Sequence, residues 1–354
     1  MALGTLRGAA VDRSGVIVPT ISRRLLTVLA PIALAAILTG CGGSSSAVEL
    51  PSSSDGCKGA VTSGGKTTIP VTVSDFDEGK AVFANVCVDG KGPFPFFVDT
   101  GSAGSEIDGA LAEELHLRGV GRAQVAGGVG CSFTTRPVRM PAWSVAGIPL
   151  EGQSVGAVDD AAIYEASGAV GTIGSDVLAR FGAVRIAYKA ETMTVEGGEG
   201  EPIGGLVEAA KAPLPKGLVT GTPKIVAPMF VQALPGSVTM RVGVRFGRGK
   251  PLAFLPDTGA PRAGYIDPVR AKALGLKENG KHYKQRTFCS TSEDPGVESG
   301  EWSIAGKPLK PQPLPATPLI KSVLADGLIG GTTFDEYGSV VFDYAGERLV
   351  LGAG

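Results

Sequence analysis

Histidine is almost missing from these 354 residues, occurring only as His116 and His282. Serine, cysteine and zinc hydrolases lean on imidazole, so Ser-His, Cys-His and zinc-His constellations have little to draw on. His116 lies in Glu-Leu-His-Leu-Arg on an expected helix, where a surface or half-buried place is the ordinary one. Cysteine is scarce too, five in all with no C-x-x-C spacing, which argues against a zinc ribbon or a thioredoxin-like site. No metal or organic cofactor is implied. Aromatic residues make up 6% while glycine (53) and proline (25) abound, a balance that favours turn-rich β structure over helical bundles. Neither sign of charge dominates, and the net charge of −1 gives no reason to expect a nucleic-acid partner. The apolar stretch Leu25 to Leu38 is too short for a comfortable membrane span.

That stretch has another use. Arg23-Arg24 precedes it and Leu38-Thr39-Gly40-Cys41 ends it, so residues 1–40 read as a secretory signal. Leu-Thr-Gly-Cys resembles the lipobox of bacterial lipoproteins. The resemblance implies cleavage before Cys41, diacylglycerol on its thiol, and an extracytoplasmic protein anchored to a bacterial cell membrane. The segment removed carries four Arg and one Asp, leaving a mildly acidic remainder. Residues 41–66, with Gly-Gly-Ser-Ser-Ser and Pro51-Ser-Ser-Ser-Asp-Gly, read as a flexible tether, and ordered structure is expected from near Thr67. Four cysteines then remain: Cys57, Cys87, Cys131 and Cys289. An even number in an exported protein suggests two disulfides, with three connectivities open.

The strongest organisational signal is an internal repeat. Asp99-Thr100-Gly101 and Asp257-Thr258-Gly259 each follow an apolar run. Ile107-Asp-Gly-Ala-Leu-Ala-Glu-Glu-Leu after the first answers Ile266-Asp-Pro-Val-Arg-Ala-Lys-Ala-Leu after the second, each predicting a short amphipathic helix. Cys131 and Cys289 each lie 32 residues beyond their Asp. Gly171-Thr-Ile-Gly174 matches Gly327-Leu-Ile-Gly330, and the strand-like runs 182–188 and 338–344 follow in step. Agreement at five points in one order marks a tandem duplication. The expected organisation is a first lobe over 67–200, a linker over 201–222, and a second lobe over 223–354.

Two such loops facing each other suit one chemistry. Two carboxylates a few ångströms apart cannot both ionise easily, so one stays protonated while the other is a base. Such a pair can activate a water and protonate a leaving amine. In an Asp-Thr-Gly loop the glycine lets the backbone offer an N–H to the carboxylate. The threonine hydroxyl can bond to the opposite loop.

Phe96-Phe-Val-Asp-Thr-Gly-Ser102, followed by a helix and Gly-x-Ile-Gly, resembles a lobe of the pepsin and retropepsin group of aspartic peptidases. The short lobes and early helix are most similar to bacterial retropepsin-like domains. The resemblance implies an all-β fold with short helices, built as two homologous β-barrel lobes with the active site in the cleft between them. It implies Asp99 and Asp257 as the catalytic pair, with loop support from Thr100, Gly101, Ser102, Thr258, Gly259 and Ala260. The two threonines would form an interlobe grip. Ser102 would hydrogen-bond the outer oxygen of Asp99, which Ala260 cannot do for Asp257. Gly127, Gly128, Val129 and Gly130 resemble a flap hairpin that closes over bound peptide, with a less recognisable counterpart near 285–292. A Cys131–Cys289 disulfide would tie the two flaps, whereas separate bonds such as Cys57–Cys87 would be purely structural; the sequence leaves this open. One departure is Pro256, which stands where the family usually has an aliphatic residue and lacks an N–H for a ladder bond. Taken together the expectation is a monomeric, membrane-anchored aspartic endopeptidase acting on a peptide or protein substrate. The alternative is an inactive pepsin-like lipoprotein that binds extended peptides in the same cleft.

Overall fold

Strand Gly79–Val88 is apolar or small at nearly every position and buried along most of its length, the pattern of a strand covered on both faces. In a computed structural model, which describes residues 54–196, 215, 217–289, 291–319 and 325–353, it is one of many strands, with only short helices between them. The fold is all-β, as expected. The expected signal, Cys41 and most of the 201–222 linker lie outside the described residues.

Asp89-Gly90 turns the chain from Gly79–Val88 into strand Lys91–Val98, both turn residues having positive φ, the two-residue geometry that matches strand twist. Strand Gly171–Ile173 then lies parallel to Lys91–Val98 and antiparallel to strand Glu106–Asp108. The second half repeats the plan. Strand Ser237–Phe246 pairs antiparallel with Leu252–Pro256, beside which Gly327–Ile329 runs parallel, itself antiparallel to Gly264–Ile266. The helices also match: Asp108 caps Gly109–Glu114 and Asp267 caps Pro268–Leu274, each accepting two backbone N–H bonds.

The halves are joined by a common sheet. Its strands run in the order Lys66–Pro70, Thr192–Glu196, Ala183–Ala187, Ser339–Asp343, Arg348–Leu351, Ile225–Leu234, three from each half in mirrored order. At the seam Ile186 pairs with Val340, and both sit in one core with Val184 and Phe342.

One expectation is corrected. Residues 54–66 are not all tether. Ser54–Cys57 forms a 3-10 turn, and Cys57 is bonded to Cys87 with a Cα–Cα distance of 5.7 Å. Strand Val61–Ser63 pairs back onto Lys66–Pro70 through Gly64-Gly65, whose φ values are +61° and +74°. The composition looks like linker, but two glycines between β-branched residues form a tight hairpin turn.

Candidate active site

Each parallel strand pair delivers an aspartate to the same place. The Asp99 N–H donates to the Ile173 carbonyl at 3.0 Å and the Asp257 N–H to the Ile329 carbonyl at 2.8 Å. Beyond each strand the chain turns so that two N–H groups converge on one carboxylate oxygen. Gly101 and Ser102 donate to Oδ1 of Asp99 at 2.9 Å each. Gly259 and Ala260 donate to Oδ1 of Asp257 at 2.8 and 3.1 Å. Each carboxyl lies against the glycine of the opposite loop, and each shifts the other's titration. A Cβ on Gly101 would fall on the carboxyl of Asp257, and one on Gly259 on that of Asp99. The pair can approach only because both positions lack side chains.

The threonines lock the loops together. Thr100 Oγ1 donates to the Pro256 carbonyl at 3.0 Å and Thr258 Oγ1 to the Val98 carbonyl at 2.5 Å. Each hydroxyl also accepts the N–H of the opposite threonine, at 3.0 and 3.1 Å. Both side chains are fully buried. Pro256 keeps the carbonyl this grip uses. It lies two residues beyond Phe254, the last residue of its strand paired with Val242, so on that side no rung is lost.

Ser102 does otherwise than expected. Its N–H supports Asp99, but its hydroxyl donates to the Gly104 carbonyl at 2.7 Å. The hydroxyl is thus spent within its own loop, and Ala260 loses nothing in the equivalent place. A residue that sequence reasoning missed lies below. Ser175 Oγ donates to the Thr100 carbonyl at 2.8 Å and shares a 2.9 Å hydrogen bond with the Tyr344 hydroxyl of the other half. The only signal was its place directly after Gly171-Thr-Ile-Gly174.

Burial raises the pKa of both aspartates. For Asp257 the neighbouring charge and hydrogen bond of Asp99 push it further up. For Asp99 the hydrogen bonds from Asp257, Ser102 and Gly101 pull it back. One carboxyl of the pair therefore keeps its proton while the other ionises. Both histidines are exposed.

Two hairpins complete the surroundings. Strands Gln124–Gly127 and Ser132–Met140 carry the first, whose tip is closed by Gly128 N–H to Cys131 carbonyl at 2.9 Å. This tip reaches the second half: Val129 bridges to Leu319, and Gly130 N–H donates to the Pro318 carbonyl at 2.9 Å. Strands Glu278–Arg286 and Thr291–Glu298 carry the second, reaching the first half through Phe288. That ring stacks on Phe133 at 4.8 Å and meets Tyr164 edge-on at 5.5 Å. Arg286 pairs with Asp77. A Cys131–Cys289 disulfide, Cα–Cα 6.2 Å, joins the two. With Cys57–Cys87, this resolves the connectivity that the sequence left open.

Residues 84–177 match the aspartyl protease family model. The likeness is to a retropepsin-type peptidase and spans the Asp99 loop, the first hairpin and the Gly171–Ile173 strand. Asp257 and its loop lie beyond the matched range. No curated protein matches the chain.

Proposed function

We propose that the chain is a bilobal aspartic endopeptidase in which Asp99 and Asp257 hydrolyse peptide bonds through a shared water. The observation carrying this reading is the pair of equivalent loops, each aiming two N–H groups at one carboxylate while that carboxyl lies against the glycine of the opposite loop. The ionised aspartate of the pair takes a proton from water as that water attacks the carbonyl carbon. The protonated one donates a hydrogen bond to the carbonyl oxygen, and the proton taken from water passes to the leaving amine. The site draws one carboxylate from each half of one chain, so it needs no second copy. The hairpins act as paired flaps over bound peptide. The lipid on Cys41 holds the enzyme at the outer face of a bacterial membrane.

The alternative is a peptide binder that does not cut, whose sequence support was Pro256. Cleavage of a randomised peptide pool across pH 3–9 separates the two. The full chain in detergent is run beside Asp99→Asn and Asp257→Asn. Cutting on the acidic side of neutrality that both variants lose is expected. No cutting by a folded wild type selects the binder, and activity still rising at pH 9 overturns the two-carboxyl mechanism.

A further inference from the structure

Glu106 is a buried carboxyl that the proposed chemistry leaves unused. Its place follows from register. Glu106 pairs with Thr172 on one side and with Gly156 on the other, and Thr172 pairs with Phe97. Directly paired residues point to the same side of a sheet, so Phe97, Thr172, Glu106 and Gly156 form one row on one face. Asp99 follows Phe97 by two residues, the repeat that returns a strand to the same face. The row therefore lies one strand repeat before Asp99, and the Asp99 charge is felt at Glu106. Phe133 of the first hairpin and Phe288 of the second pack on the cluster that holds Phe97 and Tyr164.

No donor among the described residues reaches Glu106 Oε2. The Tyr164 and Thr172 hydroxyls bond to each other at 3.0 Å. A Cβ on Gly156 would fall on the hydroxyl of Thr135 and lie 3.5 Å from the Glu106 Cγ. That hydroxyl donates to the Ala157 carbonyl at 3.4 Å. Glu106 Oε2 is left with no partner among the described residues, although the residue is only 9% exposed. Burial, then the charges of Asp99 and Asp176, push its pKa up to about 8. An unpaired buried acceptor is costly, and acids as neighbours exclude an anionic ligand here. What the site lacks is a donor, best a cation.

We infer that Glu106 is a specificity-determining residue, receiving a lysine or arginine side chain of the substrate beside the scissile bond. Phe97 and Thr172 are themselves buried, so a basic side chain must part the aromatic cover of Phe133 and Phe288 to bring its charge to Oε2, ionise Glu106 and supply the missing partner. This rests on the peptidase reading of the same cleft.

Matched peptides carrying lysine or isosteric norleucine at each position flanking the cut test it. The full chain is expected to favour lysine at one position by about tenfold or more in kcat/KM, the scale of a buried charge pair. In Glu106→Gln the ratio between the two peptides collapses to within about twofold, since the neutral amide no longer pairs with the charge. Glu106→Asp keeps its direction. No lysine preference in wild type, a preference surviving in Glu106→Gln, or equal loss on both peptides would overturn the inference. The last result would mark Glu106 as an electrostatic neighbour of Asp99 alone. If wild type cuts neither peptide, the peptidase reading fails separately. The same pairs with a non-cleavable hydroxyethylene bond are then compared by calorimetry. A Kd ratio favouring lysine in wild type but not in Glu106→Gln upholds Glu106 as a determinant of binding, and equal values reject it.

Discussion

The threonine grip concentrates four buried hydrogen bonds on two hydroxyls, so a single atom serves several partners. In Thr258→Val, the Thr100 N–H and the Val98 carbonyl both lose their partner. Each buried group left unpaired costs about 1–3 kcal/mol, so unfolding in urea should shift by several times the usual point-mutation effect. Thr258→Ser keeps the hydroxyl and should recover most of the loss. Equal stability of the valine variant would mean the grip is replaceable. The glycines of the same loops matter for reach rather than stability. Gly259→Ala would force Asp99 aside, and a displacement of about 1 Å at a reacting group costs roughly 100-fold in rate. Peptide turnover measured beside a melting curve would separate that effect from unfolding.

At the scale of elements, the two halves differ in what their sequences announce. The two short helices, and the strands after each Gly-x-Ile-Gly, were legible because apolar periodicity is a local rule. The Val61–Ser63 hairpin was hidden by Gly64 and Gly65, which read as linker in composition while their φ values make a turn. The disulfide pairing, the turn of the Ser102 hydroxyl toward Gly104, and the isolation of Glu106 are set by distances between segments far apart in sequence. No local pattern carries such information. Pro256 looked like a defect because proline removes a rung, yet the ladder on that side has ended before it. Pro256→Val should therefore destabilise by about 0.4–1 kcal/mol, through the greater freedom of the unfolded chain. Thermal melting decides this, and a stabilised variant would show that proline strains the strand end.

Across the whole molecule, buried acids set how stability responds to pH. Burial raises Asp176 from 3.8 to about 6, and burial with the charges of Asp99 and Asp176 raises Glu106 from 4.5 to about 8. The folded state thus holds protons that the unfolded chain releases, and stability falls as pH rises through this interval. The contribution is complete below about pH 4 and exhausted once pH passes about 8. The melting temperature should decline from pH 4 to pH 8, and Glu106→Gln should flatten the upper part of that decline. A rise over the same range would contradict the burial of these acids in protonated form. The direction suits the proposed chemistry, which also requires a carboxyl to keep its proton.

The Cys131–Cys289 bond changes the topology of the molecule as well as its strength. From Asp99 the chain runs to Cys131, crosses to Cys289 and returns to Asp257, and the hydrogen bonds between Thr100 and Thr258 close the circuit. On the proposed peptidase reading, a substrate lying between the carboxyls and the joined tips would pass through a ring, as thread passes through the eye of a needle. A free end can be threaded; a loop held at both ends by a folded body cannot. Linear peptides should be cut with the bond intact, while the same sequence displayed in a folded loop should be spared. A dithiol that reduces the bond to two thiols, or a Cys131→Ser/Cys289→Ser variant, would open the eye and admit the loop.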